Sequence, residues 1–209
     1  AGLSTDQIQA LSTSQLVALS STNIQALSDV QIAALKSSQV AGLSTANLAA
    51  LTATQIQAIE TGDIQALTTT QLRGMTTTNI GALTTDQIVA LKSSQVAALS
   101  TGNLNALSEA QIQAIETTDV QALTTTQLQG LNTTNIAALT TDQIRALKTS
   151  QIAGLSTTNI GALTDLQLAA LSSSQTAALT TASFAGLTTT DIAGLSTDQI
   201  QALSTSQLV

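Results

Sequence analysis

The stretch LSTDQIQALSTSQLVA, from Leu3 to Ala18, contains the same eight-residue pattern twice, and this octad decides the fold. From Leu3 to Leu203 every eighth residue is leucine, apart from two isoleucines and one methionine. The second octad position is Ser or Thr in 20 octads, and the fifth is Gln in 16. Because such periodicity defines a repeat protein, the sequence predicts one continuous repeat domain over residues 1–209, with 26 octads, the last one incomplete.

The order of residues within an octad predicts the start of a short helix. In the first octad Ser4 is placed as the N-cap, where its side chain accepts a hydrogen bond from the backbone of Gln7. The side chain of Gln7 can reach back to the backbone of Ser4, which completes a capping box. Leu3 and Ile8 occupy the two positions of a hydrophobic staple. These four residues represent the structural positions predicted for every octad.

The short spacing between caps predicts an all-α solenoid. Each helix would have about six or seven residues, below the ~12–15 at which an isolated helix becomes marginally stable in water. The helices must therefore pack on one another, in a superhelix of very short capped helices with one helix per octad. One continuous helix is excluded, since an octad advances about 80° beyond two full turns and the leucines would spiral around it. The alternative is a β-solenoid, because Thr, Ile and Val favour strands.

A longer period is visible at the fifth octad position, where Asn or Asp replaces Gln. From Leu3 to Leu163 the replaced positions are Asn23, Asn47, Asp63, Asn79, Asn103, Asp119, Asn135 and Asn159. Their spacing of three, two and two octads repeats, which defines a super-repeat of seven octads. One short side chain per turn would give this spacing in a superhelix with about 2⅓ octads per turn. Glycines at the eighth position, such as Gly42 and Gly74, predict a tight corner or a left-handed C-cap.

The composition excludes most catalytic and metal chemistry. The chain has no Cys, His, Pro, Trp or Tyr, and its net charge is −7. Without imidazole or thiolate, none of the many Ser and Thr hydroxyls has a base partner, so we expect neither an enzyme nor a cofactor. Five basic residues without aromatic neighbours do not make a nucleic-acid surface. The apolar runs are too short for insertion into a membrane.

Two acidic pairs are candidate calcium ligands. Glu60 and Asp63, like Glu116 and Asp119, lie three residues apart, which places both carboxylates of a pair on one helix face. Carboxylate oxygens are ligands for a hard cation such as Ca²⁺. The alternative interpretation is a solvated acidic edge in which these residues replace the usual cap.

Three lysines recur in nearly identical octads. Lys36, Lys92 and Lys148 are seven octads apart, and each replaces the Ser or Thr cap. One interpretation is a solvated charge at a fixed place on the superhelix. The other is a lateral contact with a neighbouring chain.

The pattern L-[ST]-x-x-Q-[ILV]-x-A resembles the octapeptide tracts, often written LTTAQIAAL, of very large secreted or surface-attached bacterial proteins, some described as adhesins. The resemblance covers practically the whole chain and implies an extracellular or cell-surface location, but assigns no functional residue. We therefore predict a non-enzymatic structural protein, a rod, stalk or filament subunit that assembles with itself head-to-tail or laterally. A solenoid that binds a protein or glycan partner is the alternative, and ice binding by regular threonines is a third.

Overall fold

The chain forms two compact units, Ala1–Ala106 and Leu107–Val209, in a computed structural model that describes residues 2–207. The first unit is a succession of short α-helices, one for each octad. These helices are α1 Thr5–Ala10, α2 Thr13–Val17, α3 Ser21–Gln25, α4 Asp29–Ala33, α5 Ser37–Gly42, α6 Thr45–Ala50, α7 Ala53–Ala58, α8 Thr61–Ile64, α9 Thr69–Gly74, α10 Thr77–Gly81, α11 Thr85–Val89, α12 Ser93–Val96 and α13 Thr101–Asn105.

The second unit continues the same succession. Its helices are α14 Glu109–Ala114, α15 Thr117–Val120, α16 Thr125–Gln129, α17 Thr133–Ala138, α18 Thr141–Ala146, α19 Thr149–Ala153, α20 Thr157–Ile160, α21 Asp165–Ala170, α22 Ser173–Ala177, α23 Thr181–Phe184, α24 Thr189–Ala193 and α25 Thr197–Ala202, followed by a 3₁₀ turn at Thr205–Gln207. No β-strand occurs within residues 2–207. The prediction of an all-α solenoid is therefore confirmed, and the chain does not fold as the alternative β-solenoid.

Each helix begins at the predicted cap position and ends near the first residue of the next octad. At α1 the backbone N–H of Ser4 donates to Gln7 Oε1 at 2.8 Å, and the backbone N–H of Gln7 donates to Ser4 Oγ at 3.2 Å. The helix ends because Leu11 is extended, with φ −65° and ψ 134°, while its N–H still donates to the carbonyl of Ile8. One octad therefore contains both a helix start and a helix stop.

The core of each unit is built from two octad positions. Sixth-position residues such as Ile56 are fully buried in the inner turns, and first-position residues such as Leu51 are almost fully buried. Helices pack mainly against the third helix along the chain, for example α2 against α5 and α3 against α6. Because each helix is too short to be stable alone, this packing between turns holds the helices in place.

The number of octads per turn differs from the prediction. Gln39 Nε2 donates to the carbonyls of Leu11 and Ile8, which precede it by 28 and 31 residues. In the second unit Gln143 binds the carbonyls of Ile115 and Ile112 at the same separations. The shorter separation equals three and a half octads, so the predicted 2⅓ octads per turn is wrong.

The number of octads per turn decides how the helices of neighbouring turns lie on each other. With three and a half octads per turn, helices in successive turns are offset by half an octad, so a helix start lies over the junction where an earlier helix ends. Successive Asn and Asp positions, three or two octads apart, then lie at different places around the turn instead of on one line. The super-repeat of seven octads corresponds to two turns.

The eighth-position glycines permit close approach between turns. No residue within 2–207 has a positive φ, so the predicted left-handed C-cap is wrong. A Cβ atom added at Gly74 would lie 2.7 Å from Thr45 Cγ2, and one added at Gly42 would lie 3.0 Å from Thr13 Cγ2. Each of these glycines therefore leaves room for the methyl group of a threonine in the preceding turn.

Replacing Gly74 with alanine is expected to lower the free energy of unfolding of the first unit by about 1 kcal/mol. Overpacking costs ~1–3 kcal/mol and outweighs a gain of up to ~1 kcal/mol in helix propensity. The matched control is Gly62→Ala, because a Cβ there meets nothing within 4 Å and the substitution should stabilise. Adding Thr45→Ser removes the methyl group but leaves the Cβ of residue 45 at 2.8 Å from the added Cβ, so it should restore the stability only in part. Urea titration followed by circular dichroism measures all three variants, and equal effects at Gly74 and Gly62 would contradict the account.

Candidate functional site

The fifth-position amide is the residue that joins one turn to the next. Gln87 is buried, and its Oε1 accepts a hydrogen bond at 2.9 Å from the backbone N–H of Thr84, the cap of its own helix. Its Nε2 donates to the carbonyls of Ile56 at 2.8 Å and Ile59 at 2.7 Å, where a helix of the preceding turn ends. One side chain thus satisfies the start of one helix and the end of another, both of which lack intrahelical partners.

This arrangement recurs along both units and is called here the amide ladder. Its best-formed glutamine members, each donating to carbonyls 28 and 31 residues back, are Gln39, Gln55, Gln71, Gln87 and Gln95 in the first unit and Gln143, Gln151, Gln167, Gln175 and Gln199 in the second. Buried amides fully paired in this way fix the register of the turns, since a slip would leave several polar groups unsatisfied.

Four of the shorter Asn side chains, Asn47, Asn79, Asn103 and Asn159, donate to one inter-turn carbonyl instead of two. Asn79 Nδ2 donates to the carbonyl of Leu51 at 2.9 Å, 28 residues back, and Asn159 does the same to Leu131 at 3.1 Å. Asn47 instead reaches the carbonyl of Leu16, 31 residues back, at 3.3 Å. Asn23 lies in the first described turn, where its side chain is exposed. Asn103 and Asn135 are buried, and Asn103 donates to Met75.

The predicted calcium ligands are not brought together as a cation site. Asp63 is buried and accepts a 2.5 Å hydrogen bond from Ser37 Oγ, which belongs to a preceding turn. Glu60 is exposed and is the N-cap residue of α8, as Glu116 is of α15. Asp119 is buried like Asp63. Within residues 2–207 no three acidic, His or Cys side chains form a group suited to a metal. Glu60 and Glu116 stand at the N-cap position without a side-chain cap hydrogen bond, and calcium binding by these pairs stays a prediction.

We expect calcium to leave the melting temperature of the protein unchanged. The Asp63 carboxylate would have to give up its bond from Ser37 and become exposed before it could coordinate an ion. Melting followed by circular dichroism should therefore give the same midpoint with excess Ca²⁺ and with a chelator. Magnesium is the matched control for ionic strength. A calcium-specific rise in the midpoint that is lost in Asp63→Asn would establish the site and contradict this expectation.

The recurring lysines occupy the cap position without acting as caps. Lys36, Lys92 and Lys148 are exposed, and each backbone N–H donates to the side chain of the fifth-position Gln. Lys92 Nζ also donates to the carbonyl of Gln65 at 2.9 Å, at the end of α8 in the preceding turn. A cation at a helix C-terminus is stabilised by the exposed carbonyls. A lateral contact of these lysines with a neighbouring chain remains a prediction.

Over residues 2–207 the charged side chains of the remaining surface are mainly isolated. In the part of the chain that the structure describes, the one ion pair joins Arg145 and Asp142 at 2.9 Å, and both side chains are exposed. The exposed octad positions carry mainly hydroxyl and small side chains. None of the helices described is long and apolar enough to cross a bilayer.

The short capped helices and the buried amide ladder define a tandem-repeat α-solenoid. A family model described as the ALTTAQ repeat matches six segments, residues 1–29, 14–45, 56–93, 112–149, 145–181 and 177–209. These segments cover well over half of the sequence, and the chain belongs to the ALTTAQ repeat family. A comparison with curated proteins found no significant match.

Proposed function

We propose that the chain is a non-enzymatic structural segment, a rod, stalk or filament subunit outside a bacterial cell. The observation that carries the proposal is the amide ladder, which ties each turn to the next through buried side chains within each unit. A repeat array stabilised between neighbouring turns and fixed in register by paired buried amides resists both sliding and bending. That resistance is the mechanical property required of a structural element.

The surface supports the same proposal. Exposed positions repeat Ser, Thr, Gln and Ala with little variation, so no local patch among the described residues is distinguished by its chemistry. A recognition site depends on a few well-placed anchors that differ from their surroundings, whereas a structural element needs none. The extracellular location rests on the octapeptide resemblance and is the part of the proposal most directly open to experiment.

Immunogold electron microscopy of intact bacteria that carry the chain tests the proposal. Antibodies against the purified chain should label fibres or a layer outside the cell, and a strain lacking the coding sequence is the matched control. Label confined to the cytoplasm of sectioned cells would contradict the proposed location. Small-angle scattering of the purified chain tests the mechanical part, since a stiff segment gives a rod-like profile and a flexible or spherical one would contradict it.

A further inference from the structure

The helices α8 and α15 begin without either half of a capping box. Their N-cap residues are Glu60 and Glu116, and neither side chain makes a cap hydrogen bond. The helices that begin at a lysine also lack a side-chain cap, but they keep the other half of the box. The backbone N–H of Lys92, for example, donates to Gln95 Oε1 at 2.8 Å. Among the described α-helices, α8 and α15 are therefore the two that start with neither bond.

The same two helices interrupt the amide ladder. Asp63 and Asp119 occupy its fifth-position places, but a carboxylate has no hydrogen to donate to a carbonyl. The carbonyls that lie 28 residues back, those of Leu35 and Leu91, accept no hydrogen bond from any residue within 2–207. The Asp63 carboxylate instead accepts from Ser37 Oγ in the preceding turn. At α8 the ladder donation to the preceding turn is therefore missing.

The residues of α8 add little helical stability of their own. The helix has only four residues, Thr61–Ile64. One of them is Gly62, where an added Cβ would meet nothing within 4 Å, so this glycine lowers the helix propensity without permitting a close approach. Glu60 and Asp63 place two negative charges three residues apart, which disfavours a helix further. The stability of α8 must therefore come from contacts with other turns, and one of these contacts is incomplete.

The helix α12 shows what the missing donation would supply. It also has four residues, Ser93–Val96, and its N-cap residue makes no side-chain cap bond. Yet its fifth-position Gln95 donates to the carbonyls of Ile64 and Leu67 in the preceding turn, at 2.9 and 2.8 Å. Because α8 and α12 share length, unit and lack of a side-chain cap, they differ chiefly in the fifth-position side chain.

We propose that α8 and α15 are release points, defined as helices that open locally while the helices around them stay folded, and that an endoprotease cuts the folded chain there first. Local opening is most frequent where the fewest contacts are lost, and a protease cleaves the opened form. Glu60 and Glu116 are exposed, so the bond after each becomes accessible on opening. The proposal goes beyond the structural function, since it names where the segment is cut.

The cut itself is a hydrolysis. One water molecule is consumed as the bond between the carbonyl carbon of Glu60 and the nitrogen of Thr61 breaks. A carboxyl group is left on Glu60 and an amino group on Thr61. The same reaction at the second release point separates Glu116 from Thr117.

Limited proteolysis of the full folded chain with a glutamate-specific endoprotease tests the proposal, because the sequence contains three glutamates. Two of them, Glu60 and Glu116, begin the release points. The third, Glu109, is an exposed residue of α14, whose capping box is complete. Mass spectrometry identifies the fragments, and short peptides with the same three sequences correct for the preference of the protease. The corrected rates after Glu60 and Glu116 should be about tenfold or more above the rate after Glu109.

The variant Asp63→Gln restores a ladder donor at α8 and keeps the cleavage residue Glu60. It should slow cleavage after Glu60 about tenfold and leave cleavage after Glu116 unchanged. The matched control is Asp6→Gln, which changes the charge equally at an exposed residue of α1 and should leave all three rates unchanged. Circular dichroism of each variant establishes that its helices are intact.

Hydrogen exchange gives a second measurement that needs no protease. In the unmodified chain the backbone amides of α8 should exchange about tenfold faster than those of α12, and Asp63→Gln should remove the difference. Equal corrected cleavage at the three glutamates, or exchange in α8 no faster than in α12, would overturn the release points. Rod-like scattering of the same chain would leave the structural function standing, which separates the two failures.

Discussion

Replacing Gln87 with methionine is expected to lower the free energy of unfolding of the first unit by about 2–5 kcal/mol. Methionine fills a similar volume but cannot bind the backbone N–H of Thr84 or the carbonyls of Ile56 and Ile59. The carbonyl of Ile59 then has no partner, and neither has the N–H of Thr84. Each unsatisfied buried group costs ~1–3 kcal/mol.

The matched control is Gln57→Met, in the same unit and of the same chemistry. The Gln57 side chain is exposed and makes no hydrogen bond among the described residues, so its replacement should change the free energy of unfolding by less than about 0.5 kcal/mol. Urea titration followed by helical circular dichroism measures both variants. Equal effects at Gln87 and Gln57 would show that the ladder contributes nothing to stability.

Truncating Ile56 to alanine is expected to cost about 2–5 kcal/mol. Its side chain is fully buried between turns, so the change loses transfer free energy and leaves a cavity. Because stability in a repeat array passes through neighbouring turns, the loss should extend beyond α7. Hydrogen exchange should then increase at the backbone amides of α4, which packs on α7.

Val89→Ala is the matched control for this truncation. Val89 is 45% exposed, so its replacement should cost less than about 0.5 kcal/mol and leave exchange in α4 unchanged. Exchange restricted to α7 in the Ile56 variant would contradict coupling between turns.

The sequence was sufficient to predict the helix starts and the fold class. Ser4 and Gln7 carry a local signal, because a capping box needs only residues three positions apart. The recurrence of that signal in every octad forced the helices to be short, and short helices require a solenoid. These inferences depend on local geometry alone.

The number of octads per turn could not be predicted in the same way. The Asn and Asp spacing defines only a super-repeat of seven octads, and either two or three turns divide that length evenly. The choice depends on which residues meet between turns, such as Gln39 with Leu11. Those contacts are long-range and leave no periodic trace at a single octad position.

The hydrogen bonds of glutamine to the preceding turn could have been predicted from the sequence. A capping box accepts Glu as readily as Gln, yet the fifth position is never Glu in this sequence. A glutamate could cap its own helix but has no donor for the carbonyls of the preceding turn. The preference for an amide, Gln in 16 octads and Asn in 6, therefore indicates a second hydrogen-bond partner.

The winding of the chain is tested most directly by an engineered disulfide, since the natural sequence contains no cysteine. A Cβ at Gly42 lies 3.0 Å from Thr13 Cβ, close to the ~3.5–4.5 Å of a disulfide. The double variant Thr13→Cys with Gly42→Cys should form an intramolecular disulfide on mild oxidation, seen as faster migration on a non-reducing gel. The pair Thr22→Cys with Gly42→Cys, which a turn of 2⅓ octads would bring together, should stay reduced. A bridge in the second pair and none in the first would contradict a turn of three and a half octads.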